Sequence, residues 1–258
     1  MGNSLKDLTF AGLSDVGLHR STNQDSYYLS PAGDVFIVAD GMGGHVGGKE
    51  ASRLATDAIC SYLETHQHSD RTSPDLLEKA ILSANAAVLA DQRQHPERAD
   101  MGTTVVVVMI RDEQFWCAHV GDSRLYRLRE SGFLQITQDH TWVAQAMQAG
   151  ELTPEQLHQH PWRHVLSQCV GREDLLNIEI QPFETEPGDR LLLCSDGLTE
   201  DLSDDAIIHY LQAADTCEGA VGALIEAAKS QGGRDNITVI ALDIPLSSHA
   251  KLITNFSP

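Results

Sequence analysis

The fold is decided by the stretch Val35-Phe-Ile-Val-Ala-Asp40-Gly-Met-Gly-Gly-His45, in which an apolar run ends at a carboxylate followed by glycines. β-Branched residues bounded by glycine predict a buried strand. Such a strand holds Asp40 at its end, and the glycines let backbone approach whatever Asp40 binds. Because a buried carboxylate is costly unless it is paired or binds a metal, the stretch predicts a metal or polar site there.

The same arrangement of an acid at a strand end recurs further along the chain. Asp122 and Asp196 each follow an apolar run, and Asp235 precedes the apolar run Ile237–Ala241. One Asp-Gly alone is more often a turn than a site. Brought together without a cation, Asp40, Asp196 and Asp235 would repel, and at least one would bind a proton. Hard divalent cations remove that repulsion, so the pattern predicts a two-metal hydrolytic site bridged by Asp40.

The composition narrows the class of protein. The chain has 258 residues, of which 41% are hydrophobic, enough for one large domain or two small ones. Lys plus Arg number 18 against 37 for Asp plus Glu, a net charge of −19, which argues against nucleic acid and anionic membrane surfaces as partners. The five cysteines form no CxxC pair and predict buried free thiols in a reducing compartment. With no signal peptide or membrane span in the sequence, we expect a cytoplasmic protein.

The order of elements indicates an α+β fold. Residues 51–63 and 76–88 carry helical spacing, and Ser73 is predicted to cap the second of these helices. From Thr103 to Ile136 short strands follow one another closely, which predicts antiparallel pairing. Two helices, the first capped by Ser203, precede a final strand. Segregated runs of this kind predict sheets packed together with helices outside.

Six motifs occur in a specific order: Arg20-x-x-x-Gln24-Asp25, Asp40-Gly-Met-Gly-Gly, Gly102-Thr-Thr, Gly121-Asp122-Ser-Arg, Ser195-Asp196-Gly197 and Gly232-Gly-x-Asp235-Asn236. The ordered set, over about residues 8–242, resembles the type 2C, metal-dependent (PPM) serine/threonine protein phosphatases in their compact bacterial form. The resemblance implies two antiparallel β-sheets in a β-sandwich, flanked by pairs of α-helices, with the metals at one edge. Within the family, the set is most similar to cyanobacterial enzymes that dephosphorylate the nitrogen-signalling protein PII.

The resemblance also implies a ligand set for two tightly bound Mg²⁺ or Mn²⁺ ions and a weaker third. Asp40 is expected to bridge two ions, of which the first is completed by Asp196 and Asp235. The Gly41 carbonyl is expected to bind the second ion. The reaction implied is hydrolysis of phosphoserine and phosphothreonine by water that the two metals activate.

Three further residues receive roles from the resemblance. Asp122 is expected to hold the third ion together with Asp196, and Asp25 to act mainly through water. Arg20 is expected to grip the substrate phosphate as a charged fork; the alternative is an ordinary surface arginine.

Two positions depart from the family pattern. Many eukaryotic members carry a glutamate ligand where Gln24 stands, which predicts weaker metal binding here. Those members also carry a histidine, the proposed general acid, where Met42 stands. A thioether cannot donate a proton, and His45 is near in sequence but not at the matching position.

The predicted domain organisation is one catalytic domain, residues 1–245, and a polar C-terminal tail, residues 246–258. A polar segment over about residues 139–174 interrupts the strands, and such a long insertion in a compact domain is usually functional. The resemblance places a mobile flap there, beside the metals. Within it, Pro161-Trp162-Arg163-His164 suits contact with a protein surface, so His164 is expected to bind substrate. The alternative is that His164 merely packs the flap.

Two other classes of function stay open at this point. Residues 43–50 read G-x-x-x-x-G-K-Glu after a strand and before a helix, the context of a phosphate-binding P-loop in a nucleotide hydrolase, although Ser or Thr should replace Glu50. A pseudophosphatase that binds phosphoproteins without catalysis is the second alternative. For the phosphatase we expect a phosphoprotein substrate, with phosphorylated PII as the specific expectation, an opposing serine/threonine kinase and a monomeric state.

Overall fold

The computed structural model describes residues 8–44, 47–153, 156, 160–175 and 177–246, and these residues form two packed β-sheets. The first sheet contains, in spatial order, β1 (Thr9–Asp15), β11 (Ile237–Asp243), β10 (Arg190–Cys194), β7 (Arg124–Arg129) and β8 (Gly132–Gln135). The second contains β2 (Asp25–Leu29), β3 (Val35–Met42), β5 (Val105–Arg111), β6 (Gln114–Val120) and β9 (Glu179–Phe183), with the short β4 (Gly102–Thr103) paired to β3. All pairs between these strands are antiparallel, which confirms the predicted α+β class.

Helices cover the outer face of each sheet. Those beside the second sheet are α1 (Gly47–His66) and α2 (Ser73–Gln94). The short α3 (Trp142–Gln148) lies in the predicted flap. The remaining helices, beside the first sheet, are α4 (Asp196–Asp201), α5 (Asp204–Ala213) and α6 (Cys217–Gln231).

The alternation of side chains along each strand builds this layered core. Along β3, Phe36 and Val38 pack between the two sheets, whereas Ile37 and Ala39 pack against the layer of α1 and α2. All four side chains are fully buried, as expected for a strand covered on both faces. The Asp40 strand is therefore rigidly fixed, and Asp40 is held at its end.

Two details of the helices differ from the sequence-based expectation. The cap of α2 is Thr72, whose hydroxyl accepts a hydrogen bond from the Asp75 amide, so the prediction of Ser73 was wrong by one residue. The predicted cap of α5 is confirmed, since Ser203 accepts from the Ala206 amide. The helix α4 was not predicted, because six residues are too few to show an apolar period.

The predicted flap connects β8 of the first sheet to β9 of the second. One isolated bridge joins Thr141 to Leu166 within the flap, and another joins Val170 to Thr103 of β4. The polar tail beyond Leu246 and the residue His45 lie outside the described residues, and the boundaries of domain, flap and tail stay predictions. In the described part of the chain, no helix combines the length and apolarity that crossing a bilayer requires.

Candidate metal centre

The end of β3 meets the start of α1 in very close packing. A Cβ atom on Gly41 would lie 2.0 Å from the Gly48 carbonyl oxygen and 2.6 Å from that of Gln24. Only glycine fits at position 41 without a shift of backbone. This close approach places the Gly41 backbone and the Asp40 carboxylate together beside the first turn of α1.

A second close approach brings the acids of β10 and β11 together. Asp196 begins α4 directly after β10, and Asp235 precedes β11, which pairs with β10. A Cβ atom on Gly197 would lie 2.1 Å from the Asn236 carbonyl oxygen, so α4 rests on the backbone next to Asp235. The antiparallel pairing therefore gathers both carboxylates at one edge of the sandwich.

These elements enclose a cavity of about 520 Å³. Seven of the eight residues that the sequence singled out for the site line it: Arg20, Asp40, Gly41, Asp122, His164, Asp196 and Asp235. The eighth, Asp25, lies directly behind it, because β2 and β3 pair Asp25 with Asp40. The sequence-based grouping of these residues therefore corresponds to one place in the structure.

Three carboxylates of this cavity, those of Asp40, Asp122 and Asp196, hold their protons more tightly than ordinary aspartates. Burial, with the charges of Asp25 and Asp196 adding to it, keeps the pKa of Asp40 well above its usual range. Burial likewise raises the pKa of Asp122, and the charge of Asp196 adds to this effect. Burial also raises the pKa of Asp196 itself. Mutual repulsion in a poorly solvated site is the condition that a bound cation relieves.

Asp25 is positioned by the ends of β10 and β11. Its Oδ2 accepts hydrogen bonds from the Ser195 hydroxyl at 2.8 Å and the Thr238 hydroxyl at 2.6 Å, while its Oδ1 is buried without a hydrogen-bond partner. Burial outweighs these hydrogen bonds and raises the pKa of Asp25 to about 7. Asp196 Oδ1 is likewise buried without a hydrogen-bond partner. Carboxylate oxygens in this state suit direct or water-mediated binding of a hard cation.

Arg20 is joined to one of the acids. Its Nη2 lies 2.6 Å from Asp235 Oδ2, and its side chain is 50% exposed. The loop that carries Arg20 is fixed by Asn236, whose side-chain amide donates to the carbonyls of Val16 and Thr22. Arg20 is thus held at the mouth of the cavity with part of its guanidinium open to solvent.

The two positions that depart from the family pattern also lie here. The Gln24 side chain donates to the Gly44 carbonyl at 2.8 Å, so it braces the glycine loop. Met42 lines the cavity and offers no proton.

Sequence analysis missed Glu200. On α4, its Oε1 lies 2.7 Å from His164 Nδ1, which ties the flap to the helix that Asp196 begins. Ligand atoms of His164, Asp196 and Glu200 all lie within 4.8 Å of one another. Burial, with the charge of Asp196 adding to it, raises the pKa of Glu200 to about 7. The four-residue spacing of Asp196 and Glu200 would have indicated this residue, had a helix been predicted there.

The P-loop alternative is wrong. A P-loop joins a strand of a parallel sheet to a helix, whereas β3 pairs antiparallel with β2, β4 and β5. Glu50, which stands where Ser or Thr should bind Mg²⁺, instead forms hydrogen bonds with Arg53.

The sequence pattern of the family described as Protein phosphatase 2C matches residues 19–227, and the chain belongs to this family. The chain is 38% identical over 244 residues to the Mycobacterium tuberculosis serine/threonine protein phosphatase PstP; the match takes in 92% of the chain but 45% of PstP. It is 36% identical over 236 residues to the Streptococcus pneumoniae protein phosphatase PhpP, with 88% of the chain and 94% of PhpP covered.

Solved structures show the same architecture. The crystal structure of M. tuberculosis PstP/Ppp superposes with a TM-score of 0.85 at 36% identity, covering 92% of this chain and 99% of that one. The catalytic domain of PstP in complex with two manganese ions gives a TM-score of 0.82 at 34% identity, with 92% and 98% covered. The two-sheet fold with outer helices is therefore the fold of this family.

Proposed function

We propose that this chain is a Mg²⁺- or Mn²⁺-dependent hydrolase of phosphoserine and phosphothreonine in proteins. The observation that carries the proposal is the convergence of Asp40, Asp122, Asp196 and Asp235 in one cavity, three of them with raised pKa values. Relatives named as serine/threonine protein phosphatases support the reaction, and the manganese ions of the PstP catalytic domain support the cofactor.

The residues present fit such ions. In the proposal Asp40 would be shared by two ions, Asp196 and Asp235 would help to hold the first, and the Gly41 carbonyl would help to hold the second. The buried, unpartnered Oδ1 of Asp196 supports this fit.

A weaker third ion is assigned to Asp122 with Asp196, on the raised pKa of Asp122 in the same cavity. Asp25 acts through water, because its free Oδ1 lies behind Asp40 rather than in the cavity lining.

Two such ions, when bound, lower the pKa of a water molecule to near 7 and offset charge on the phosphate. The chain's own residues orient the substrate. Arg20 donates charge-assisted hydrogen bonds from its exposed nitrogens to phosphate oxygens, which holds phosphorus in line for direct attack without a phosphoenzyme. Asp25 accepts a hydrogen bond and thereby orients water at the rear of the site.

The test is hydrolysis of p-nitrophenyl phosphate and of a phosphothreonine peptide with Mn²⁺ and with EDTA. The proposal predicts turnover of both substrates with Mn²⁺ and none with EDTA. Binding of the phosphopeptide without turnover would instead support the pseudophosphatase alternative. Retention of all four cavity aspartates argues against that alternative.

The specific substrate that we propose is phosphorylated PII, and the support is the sequence resemblance to the PII phosphatases. An assay on phosphorylated PII beside an unrelated phosphoprotein, each with and without EDTA, tests it. Faster Mn²⁺-dependent release of phosphate from PII is the expected result, and equal rates would contradict it.

We further propose a monomer in the cytoplasm, opposed by a serine/threonine kinase. The support for a reducing compartment is that all five cysteines are free thiols, four of them buried. Light scattering of the purified protein would show a dimer if the monomer proposal were wrong.

A further inference from the structure

Three aromatic rings form an exposed group on the flap. Trp142, His160 and Trp162, here called the flap aromatic cluster, have ring centroids 5.1 to 5.8 Å apart in all three pairs. Trp142 is 37% exposed and Trp162 is 54% exposed. Contiguous exposed apolar patches, unlike single exposed apolar residues, often mark interaction surfaces.

The cluster is held in place although it is exposed. Trp142 begins α3 behind its cap Thr141, and its amide donates to the Val165 carbonyl at 2.9 Å. The Trp162 amide donates to His160 Nδ1 at 3.1 Å, which requires that nitrogen to be unprotonated. These hydrogen bonds fix the backbone that carries the two tryptophans and the ring of His160 before any partner arrives, which lowers the entropic cost of binding.

The cluster lies beside the proposed phosphate site. His164, two residues after Trp162, lines the cavity and is ion-paired to Glu200. Two residues span at most roughly 7 Å of chain. This distance is short enough for a side chain that neighbours the phosphorylated residue to reach the cluster while the phosphate occupies the cavity.

Charge decides which side chain fits there. A dianionic phosphoresidue approaching a chain of net charge −19 is repelled. A basic side chain near the phosphate offsets that repulsion, and Arg or Lys is attracted to the faces of tryptophan rings. Arg163, next to Trp162, is a cation that could repel a basic side chain. It interacts with the Glu200 carboxylate and lowers the pKa of that group, although burial has the larger, opposite effect. The negative charge of Glu200 therefore partly offsets the charge of Arg163.

We propose that the flap aromatic cluster binds an Arg or Lys side chain of the phosphoprotein substrate, close to the phosphorylated residue, by cation–π contact. This inference rests on the proposed phosphatase function and names the class of substrate: phosphoproteins with a basic residue beside the phosphorylated one. It assigns Trp142 and Trp162 to substrate selection rather than to catalysis.

The experiment compares phosphothreonine peptides that carry either Arg or citrulline at each position near the phosphate. Citrulline keeps the shape of Arg but lacks its charge. We expect kcat/KM to be roughly two- to thirtyfold higher for Arg at one or two positions, the range that cation–π contacts span. Trp162→Phe, which keeps a π face, should retain most of this ratio, and Trp162→Leu, which keeps apolar surface alone, should bring it close to one.

Two controls separate this contact from general effects. Leu134→Ala removes an exposed apolar side chain, 49% exposed, from β8 of the first sheet, outside the flap aromatic cluster, and should leave the Arg-to-citrulline ratio unchanged. Hydrolysis of p-nitrophenyl phosphate should be the same in Trp162→Leu and in the parent, because this substrate has no neighbouring side chain.

The contrary results are distinct. Equal rates on Arg and citrulline peptides, or an undiminished ratio in Trp162→Leu, would overturn the inference while normal turnover of p-nitrophenyl phosphate leaves the phosphatase function intact. A third peptide series with norleucine, an uncharged apolar side chain, extends the comparison, and a preference for norleucine over Arg would overturn the inference in favour of apolar docking. Absence of any Mn²⁺-dependent hydrolysis would overturn the proposed function and the inference with it.

Discussion

Arg20 Nη2 lies 2.6 Å from Asp235 Oδ2, so the residue proposed to hold the phosphate contacts a residue proposed to hold a metal. The two residues are 215 positions apart and meet because Asn236 secures the Arg20 loop against the start of β11. The pair is partly exposed, with side chains 50% and 25% accessible, which limits its own energy to about 1 kcal/mol or less. Its importance is that binding of phosphate to Arg20 and binding of a cation to Asp235 each compete with this ion pair.

Replacing Arg20 should separate binding of phosphate from binding of metal. Arg20→Ala removes charge-assisted hydrogen bonds of roughly 1.5–3 kcal/mol, which corresponds to about a ten- to hundredfold loss of kcat/KM. It also frees Asp235 Oδ2, so Mn²⁺ affinity should stay the same or rise by up to about fivefold. Steady-state kinetics and calorimetric titration with Mn²⁺ measure the two effects.

The matched control is Arg20→Lys, which keeps the charge but loses the fork geometry. It should recover Mn²⁺ affinity of the parent and only part of kcat/KM. Loss of Mn²⁺ binding in Arg20→Ala would contradict the assignment of Arg20 to the substrate.

The raised pKa of Asp25 makes a prediction for the metal-free protein. In the folded state the pKa of Asp25 is about 7 against an ordinary value of 3.8. Between these values the folded state binds more protons than the unfolded state, so the free energy of unfolding should fall as pH rises from about 4 to about 7. The slope from one such group is at most about 1.4 kcal/mol per pH unit.

Chemical denaturation in EDTA across this pH range measures that slope. Asp25→Asn should reduce it, since the amide oxygen still accepts from Ser195 and Thr238 but cannot titrate. Saturating Mn²⁺ should also reduce it, because bound cations favour ionised carboxylates. The prediction would be contradicted if, in EDTA, the free energy of unfolding of the parent rose with pH while that of Asp25→Asn did not.

Strand ends and their acids could be predicted from the sequence, because local patterns specify them. The apolar run before Asp40 alternates between two buried faces, and the same kind of run precedes Asp196. Because strand ends in a sandwich meet at its edges, the ordered motifs were enough to predict that Asp40, Asp122, Asp196 and Asp235 lie together in one site. The contact of Glu200 with His164 could not be predicted, because α4 is too short to show a period and the flap partner is 36 positions distant (200 − 164).

Asp122 should support turnover without holding the two main ions. Its pKa is raised by burial first and by the charge of Asp196 next, consistent with a cation shared by these two residues. Asp122→Ala should lower kcat strongly and leave two tight Mn²⁺ sites in a calorimetric titration. Full activity, or loss of the two tight sites, would show that Asp122 has a different role.

His164 should affect protein substrates more than small ones. A small aryl phosphate needs the metals and Arg20, whereas a phosphoprotein also contacts the flap. His164→Ala should therefore change rates on phosphoprotein several-fold more than rates on p-nitrophenyl phosphate.

The alternative for His164 is that its ion pair with Glu200 merely packs the flap. Glu200→Gln tests this alternative, because it removes the charge from that ion pair and leaves His164 in place. Parallel changes on both substrates in His164→Ala and Glu200→Gln, with unchanged melting temperatures, would favour packing over docking.

The central claim is that Asp40, Asp196 and Asp235 together hold the catalytic cations. It is tested most directly by titrating Mn²⁺ into the parent and into Asp40→Asn by calorimetry, with p-nitrophenyl phosphate hydrolysis measured on the same samples. Because Asp40 is assigned to both ions, Asp40→Asn should lose tight Mn²⁺ binding and more than about 99% of turnover, while its metal-free melting temperature stays equal to or above that of the parent. Tight binding of two Mn²⁺ ions by a folded Asp40→Asn protein, with near-normal hydrolysis, would contradict the account.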